Sequence, residues 1–242
     1  MKKIILSLLI LFAVKSNAQQ FISTGKIEYE MRVNNHRMFG DGIFGRMYKD
    51  RMPNFSTYYY NLTFTDNKAV YKFDRLNERD KMPWTDNSNQ DDTWFSDYNT
   101  QIFSNSKFVF DGTYLLSDTL MNINWKLVPN ETREIAGFTC RKAQGIIFDS
   151  VYVFVFYTDE ITTNGGPMGL HGLPGMILGV TIPRMFSSWI ATKLEVNGVN
   201  INIVTPPTKG KKKDADELKT NVERATKDWG TWGKQSVYNI FL

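Results

Sequence analysis

Residues 151–158, VYVFVFYT, send side chains alternately to two faces and are almost wholly β-branched and aromatic. That is the period-two signature of a strand. The pattern recurs at short intervals. Residues 26–33 place Ile27, Tyr29, Met31 and Val33 on one face and charges on the other. Residues 57–65 and 69–73 read as a hairpin around Asp66-Asn67-Lys68. Further strand patterns lie at 100–103, 107–110, 113–116, 123–128, 138–147, 176–182, 188–196 and 199–205. Asp111-Gly112 marks a tight turn and Pro129-Asn130 a break. Little helix-forming sequence separates these segments, whereas parallel strands need crossover helices. The expected fold is mainly β, a β-rich α+β arrangement. It is a single curved antiparallel sheet or half-barrel with an apolar concave face, wrapped by one C-terminal helix. Residues 214–229 supply that helix, with Asp214 or Asp216 as cap and Leu218, Val222, Ala225 and Trp229 at helical spacing. Residues 74–97 are polar and turn-rich, and read as a long surface loop.

The N-terminus reads as a secretory signal. Lys2 and Lys3 precede an apolar stretch from Ile4 to Val14, and Ser16 and Ala18 suit cleavage after Ala18. The expected organisation is a signal peptide over 1–18 and one domain over 19–242, with 209–230 as linker and helix. No second apolar run is long enough to span a bilayer, so no transmembrane segment is expected after cleavage. The signal carries Lys2, Lys3 and Lys15, and its removal lowers 29 basic residues to 26 against 25 acidic ones. So balanced a charge gives no reason to expect nucleic acid as a partner. The cluster Lys209, Lys211, Lys212 and Lys213 follows Pro206-Pro207 and reads as a solvated linker. Cys140 is the single cysteine, so no internal disulfide framework exists.

Candidate chemistry is sparse. The two histidines are His36 and His171. Cys140, inside an expected strand, reads as a buried inert thiol; a Cys140–His171 nucleophilic pair is the hydrolase alternative. Asp159 and Glu160 are adjacent on the chain, and neighbours on a strand point to opposite faces. Met31, His36, Met38, Met47 and Met52 offer soft ligands for a copper-handling alternative. Residues 165–175 are glycine-rich, but Met176-Ile177 replaces the Lys-Ser/Thr of a phosphate loop, and a strand follows instead of a helix. Gly172-Leu173-Pro174-Gly175-Met176-Ile177 therefore reads as a structural turn, of type II with Pro174 and Gly175 at its centre. No cofactor is expected.

That hexapeptide, with Phe156 to Ile161 and Gly166-Pro167 before it, resembles the GLPGLI family of exported Gram-negative envelope proteins. Residues 131–143, ETREIAGFTCRKA, resemble the family's second block, which includes Gly137, Cys140, Lys142 and Ala143. The Gly25–Tyr29 opening is similar to family N-termini. Met176 stands where the family has leucine, Thr162 where it usually has proline, and His171 where small residues are common. The resemblance implies a periplasmic or outer-membrane-associated protein with no established activity, beside TonB-dependent transport components. With the missing catalytic set, it favours a non-enzymatic binding or accessory module for an apolar ligand, a peptide or an envelope partner.

Overall fold

The computed structural model describes residues 21–40, 42–82, 91–110, 112–229, 237–238 and 242. The expected signal peptide, Asp111, Gly230 and residues 83–90 of the expected loop lie outside the described residues. The strands are β1 (Gly25–Asn34), β2 (Phe55–Thr65), β3 (Lys68–Leu76), β4 (Thr93–Asp97), β5 (Ile102–Val109) and β6 (Gly112–Thr119). They continue as β7 (Lys126–Ile135), β8 (Phe138–Ile147), β9 (Val151–Thr158), β10 (Met176–Ile182), β11 (Ser187–Glu195) and β12 (Lys211–Lys212). All twelve form one open, curved sheet in the order β12-β6-β5-β4-β3-β2-β1-β11-β10-β9-β8-β7. Every pairing is antiparallel except β12 with β6. The helices are α1 (Asn35–Phe39), α2 (Ile43–Tyr48) and α3 (Ala215–Ala225). The mainly-β architecture with a C-terminal helix matches the alternation in the sequence.

Local signals account for most turns. Asp66 and Asn67 both take positive φ, which is the two-residue hairpin geometry that Asp and Asn tolerate. Ala136 and Gly137 do the same between β7 and β8. Asp214 caps α3 by accepting from the Glu217 N–H at 2.9 Å. Leu218 and Val222 bury against Val109 and Leu116 of the sheet.

Several expectations need correction. Residues 74–97 are not one loop: β3 runs through Leu76, and Thr93–Asp97 forms β4 with Trp94 buried. The segments 100–103 and 107–110 are one strand, because polar Ser104-Asn105-Ser106 pairs through to both neighbours. Pro129-Asn130 bends β7 without ending it, the register slipping between Leu127 and Thr132. Residues 199–205 hold a single 3-10 turn, Ile201–Ile203, where a strand was expected. The helix stops at Ala225, and Trp229 lies beyond it, half exposed against Phe110. The lysine-rich linker is solvent-exposed and leads into the helix as expected, and it is also tied to the sheet: Lys211 and Lys212 cover the β6 edge, and Ser106 Oγ donates to the Lys209 carbonyl at 2.9 Å.

The connector from β9 to β10 is one of several long connections between strands. Residues 159–175 leave β9 and reach across the mouth of the curved sheet to the β4–β5 turn. Asn164 N–H donates to Asn67 Oδ1 at 3.1 Å, and His171 Nε2 meets Gln101 Oε1 at 2.9 Å. Trp125 Nε1 donates to the His171 carbonyl at 2.7 Å. The strap ends at Gly175, whose N–H donates to Leu173 O at 2.8 Å and to Asn164 Oδ1 at 3.0 Å. The bond therefore closes a three-residue γ-turn around Pro174, one residue tighter than a type II turn. Gly175 has φ +125°, and a Cβ there would lie 2.0 Å from the Thr158 carbonyl oxygen. Gly175→Val should therefore lower stability by about 3 kcal/mol or more. Gly137→Ala, at a positive φ with open space around it, should lower it by about 1 kcal/mol. Urea titration of both variants checks the ranking.

Candidate functional site

The strap, the sheet and α3 border a solvent-open cavity of about 370 Å³ on one face of β4 and β5. Register sets its back wall. Trp94 lies opposite Asn105, and Ser96 opposite Phe103, so these four side chains share one face. Met168, Gly169 and Leu170 of the strap close one side, and Leu120, Met121 and Ile123 of the β6–β7 connection another. The α3 residues Asp216, Lys219 and Glu223 stand at the mouth, exposed to solvent with Asp118. Ile147, Phe148, Tyr238 and Leu242 also line it.

Two of the lining residues, Trp94 and Asn105, each also carry a buried polar atom. Trp94 Nε1 and Asn105 Oδ1 are buried and have no hydrogen-bond partner among the described residues. Both side chains are only 6% exposed. A buried donor or acceptor left unpaired costs about 1–3 kcal/mol. Sequence reasoning missed both atoms. The available signal was the alternation Phe103, Asn105, Lys107, which puts two polar side chains on an inward face.

Lys107 sits one inward step from Asn105, and it is matched. Its Nζ is 3.0 Å from Asp92 Oδ2, with both side chains about 5% exposed or less. It also lies 3.8 Å over the Trp94 ring and 3.4 Å from the Leu242 carbonyl. Asp92 Oδ1 accepts from the Phe108 N–H at 2.7 Å. Burial pulls the Lys107 pKa down, and the Asp92 carboxylate opposes that pull. Trp94 is thereby clamped, with Lys107 on one face and Tyr71 edge-on at 5.4 Å.

The motif residues fall at the strap's end. Gly172 has positive φ beside Trp125, Leu173 is buried, Pro174 is exposed, and Met176 and Ile177 enter β10 fully buried. Tyr29 Oη donates to the Ile177 carbonyl at 2.7 Å, tying β1 to this segment. The second block builds the β7–β8 hairpin. Gly137 makes the turn, Ala143 is buried, and Lys142 Nζ pairs with Glu131 at 2.7 Å. Cys140 is fully buried, its Sγ 3.5 Å from the Phe138 carbonyl. Burial, with Glu134 and Glu160 nearby, pushes its thiol up to about 12. His171 is held by the Gly169 carbonyl and Gln101 and stacks on Tyr98. Each of the two thus has partners of its own. Asp159 pairs with Arg141 at 2.6 Å on the surface. In the methionine-rich region, Met31 packs on the core from β1, Met38 is half-buried on α1, Met47 is exposed and Met52 buried. His36 Nε2 is 3.4 Å from the Met52 carbonyl. Among the described residues no group of three or more His, Cys, Asp or Glu side chains can hold a metal ion.

The sequence matches no family model and no curated protein. Solved structures do match. The structure of PNGF-II in space group C2 aligns at 16% identity and a TM-score of 0.52, covering 81% of this chain and 32% of that one. PNGF-II in space group P21 aligns at 16% identity and 0.51, covering 86% and 34%. An uncharacterized conserved protein from Thermus thermophilus aligns at 6% identity and 0.39, covering 86% and 98%. This chain spans about a third of the length of PNGF-II, and at such identity the likeness is one of fold.

Two outcomes follow from the buried groups. Asp92→Asn should destabilise by about 3–5 kcal/mol by stranding the Lys107 ammonium, while the pair Asp92→Leu with Lys107→Met should recover most of that loss. Urea titration of the single and double variants checks it. Burial also lowers the His171 pKa from its ordinary 6.5. The stability this contributes is present above that unfolded value and is lost as pH falls through the lower folded one. The His171→Gln variant should therefore show a flatter decline of the urea midpoint from neutral pH to about pH 5.

Proposed function

We propose that this chain is a non-enzymatic exported binding protein that holds an apolar small molecule in the cavity beneath the strap. The observation that carries this reading is the pocket itself: a hollow whose inner wall is built by Phe103, Leu120, Met121, Ile123, Met168 and Leu170, with charged side chains confined to its mouth. Ligand sites take that form, mostly apolar with a few polar groups to fix orientation. The GLPGMI and ETREIAGFTCRKA segments support membership of the GLPGLI family, and Lys2 to Ala18 supports export to the periplasm or outer membrane. An envelope partner, TonB-dependent transport components among them, belongs to the same proposal. No helix of the described residues is long and apolar enough to cross a membrane.

The test is direct. The full chain, purified under non-denaturing conditions, should carry an apolar molecule visible by native mass spectrometry and recovered by solvent extraction. Met121→Trp, which narrows the cavity, should reduce its occupancy several-fold with the thermal midpoint nearly unchanged. Absence of any bound molecule, together with failure to bind added apolar compounds, would falsify the proposal.

A further inference from the structure

A second hollow, of about 560 Å³, lies at the open edge of β8. β7 pairs with β8 only as far as Lys126 opposite Gln144, so among the described residues Gly145 to Ile147 have β9 on one side and no strand on the other. The chain before β7 passes this edge without pairing. Ile123 and Trp125 turn to the core side, where a Cβ on Gly145 would lie 2.8 Å from Ile123 Cγ2 and 3.1 Å from Trp125 Cε3. Asn122 and Asn124 alternate with them, are exposed and line the hollow. Register adds the opposite wall. Lys126 lies opposite Gln144, Gln144 opposite Phe154 and Ile146 opposite Tyr152, so these side chains share one face of the sheet. Tyr152 is 56% exposed, and its ring lies within 16° of parallel to that of Phe154.

The polar lining is mostly neutral. Asn122, Asn124 and Gln144 contribute primary amides, each of which donates and accepts, while Lys126 and Asp149 offset one another in charge. Among the described residues these side chains make no hydrogen bond or ion pair, so a ligand meets them without displacing a protein partner. A hydroxyl also donates and accepts. A sugar ring carries several around its rim, and its C–H faces are apolar enough to lie on an aromatic ring. An ion of either sign would meet one unfavourable charge. An added peptide strand would find a free edge of three residues, shorter than the ordinary five to six or so. We propose that this groove binds a neutral sugar, with Tyr152 against the ring and the three amides at its hydroxyls. Met121, Ile147 and Phe148 line both hollows, so the two adjoin. The sugar is either the head of an amphiphile whose tail fills the first hollow or a free saccharide, and the groove does not depend on the apolar-ligand reading above.

Calorimetric titration of the full chain tests this, with maltose, cellobiose, diacetylchitobiose, octyl maltoside below its micelle concentration, octan-1-ol and acetyl-trialanine amide as probes. Sugar binding is expected in one of two forms. A disaccharide held at least about tenfold tighter than the peptide marks a free saccharide; octyl maltoside held at least about tenfold tighter than octan-1-ol marks the head of an amphiphile. In either form Tyr152→Ala should weaken the sugar about tenfold, and Asn124→Ala and Gln144→Ala several-fold each, with octan-1-ol affinity unchanged. None of the three side chains belongs to the core, and the urea midpoint checks that each variant folds. Neither form of sugar binding, or a peptide held as tightly as the best sugar, overturns the proposal. So does sugar binding that all three variants leave unchanged. A disaccharide that binds where octan-1-ol does not would sink the apolar-ligand reading and leave this one standing; the reverse would sink this one alone.

Discussion

One backbone N–H anchors the inner face of this molecule. Gly175 donates to Leu173 and Asn164 at once, which folds the end of the strap back on its own start. That closure is possible only because position 175 carries no side chain, the Thr158 carbonyl standing where a Cβ would be. From there the constraint spreads. Asn164 engages Asn67, Ile177 N–H engages the Gly165 carbonyl, and the Ile177 carbonyl receives Tyr29. An open sheet has no intrinsic reason to keep its concave face roofed. The strap supplies the roof, and its position fixes where Met168 and Leu170 meet the β4–β5 wall.

The polar interior follows a consistent logic. A curved face twelve strands wide cannot be filled by apolar side chains from the sheet alone, so the connections pack into it. Where Lys107 and Asp92 enter, each finds the other and a further contact, as buried charges must. Trp94 gains rigidity from that pair while its own N–H stays uncommitted.

The sheet was legible because alternation survives in a single sequence wherever one face is buried. Residues 151–158 and 26–33 show it plainly. The misread segments failed for physical reasons. Thr93–Asp97 is only five residues long and flanked by polar chain, so its pairing partners, not its own pattern, make it a strand. Ser104-Asn105-Ser106 looks like a break because polar residues occupy inward positions, and Asn105 among them lines the cavity. Residues 199–205 alternate well, yet β1 and β10 already flank β11, and the segment passes over β2 instead. The glycine turn was readable as backbone geometry, though its tighter closure depends on Asn164, eleven residues upstream. The Trp94–Asn105 pairing joins two segments across the sheet, a relation that spacing along the chain does not display.

The strand order divides the molecule into two ladders of neighbours. Strands β1 to β6 pair in succession, and β7 to β11 pair in succession, so most contacts in each ladder are local. The two ladders meet along one seam, β1 against β11, where Lys26 pairs with Glu195. Closing that seam joins residues more than 150 positions apart and carries the largest single loop-closure cost among the strand pairings. The β1 and β11 edges are therefore the two long edges that the folded sheet covers with each other, and they are the edges a swapped dimer would have to exchange.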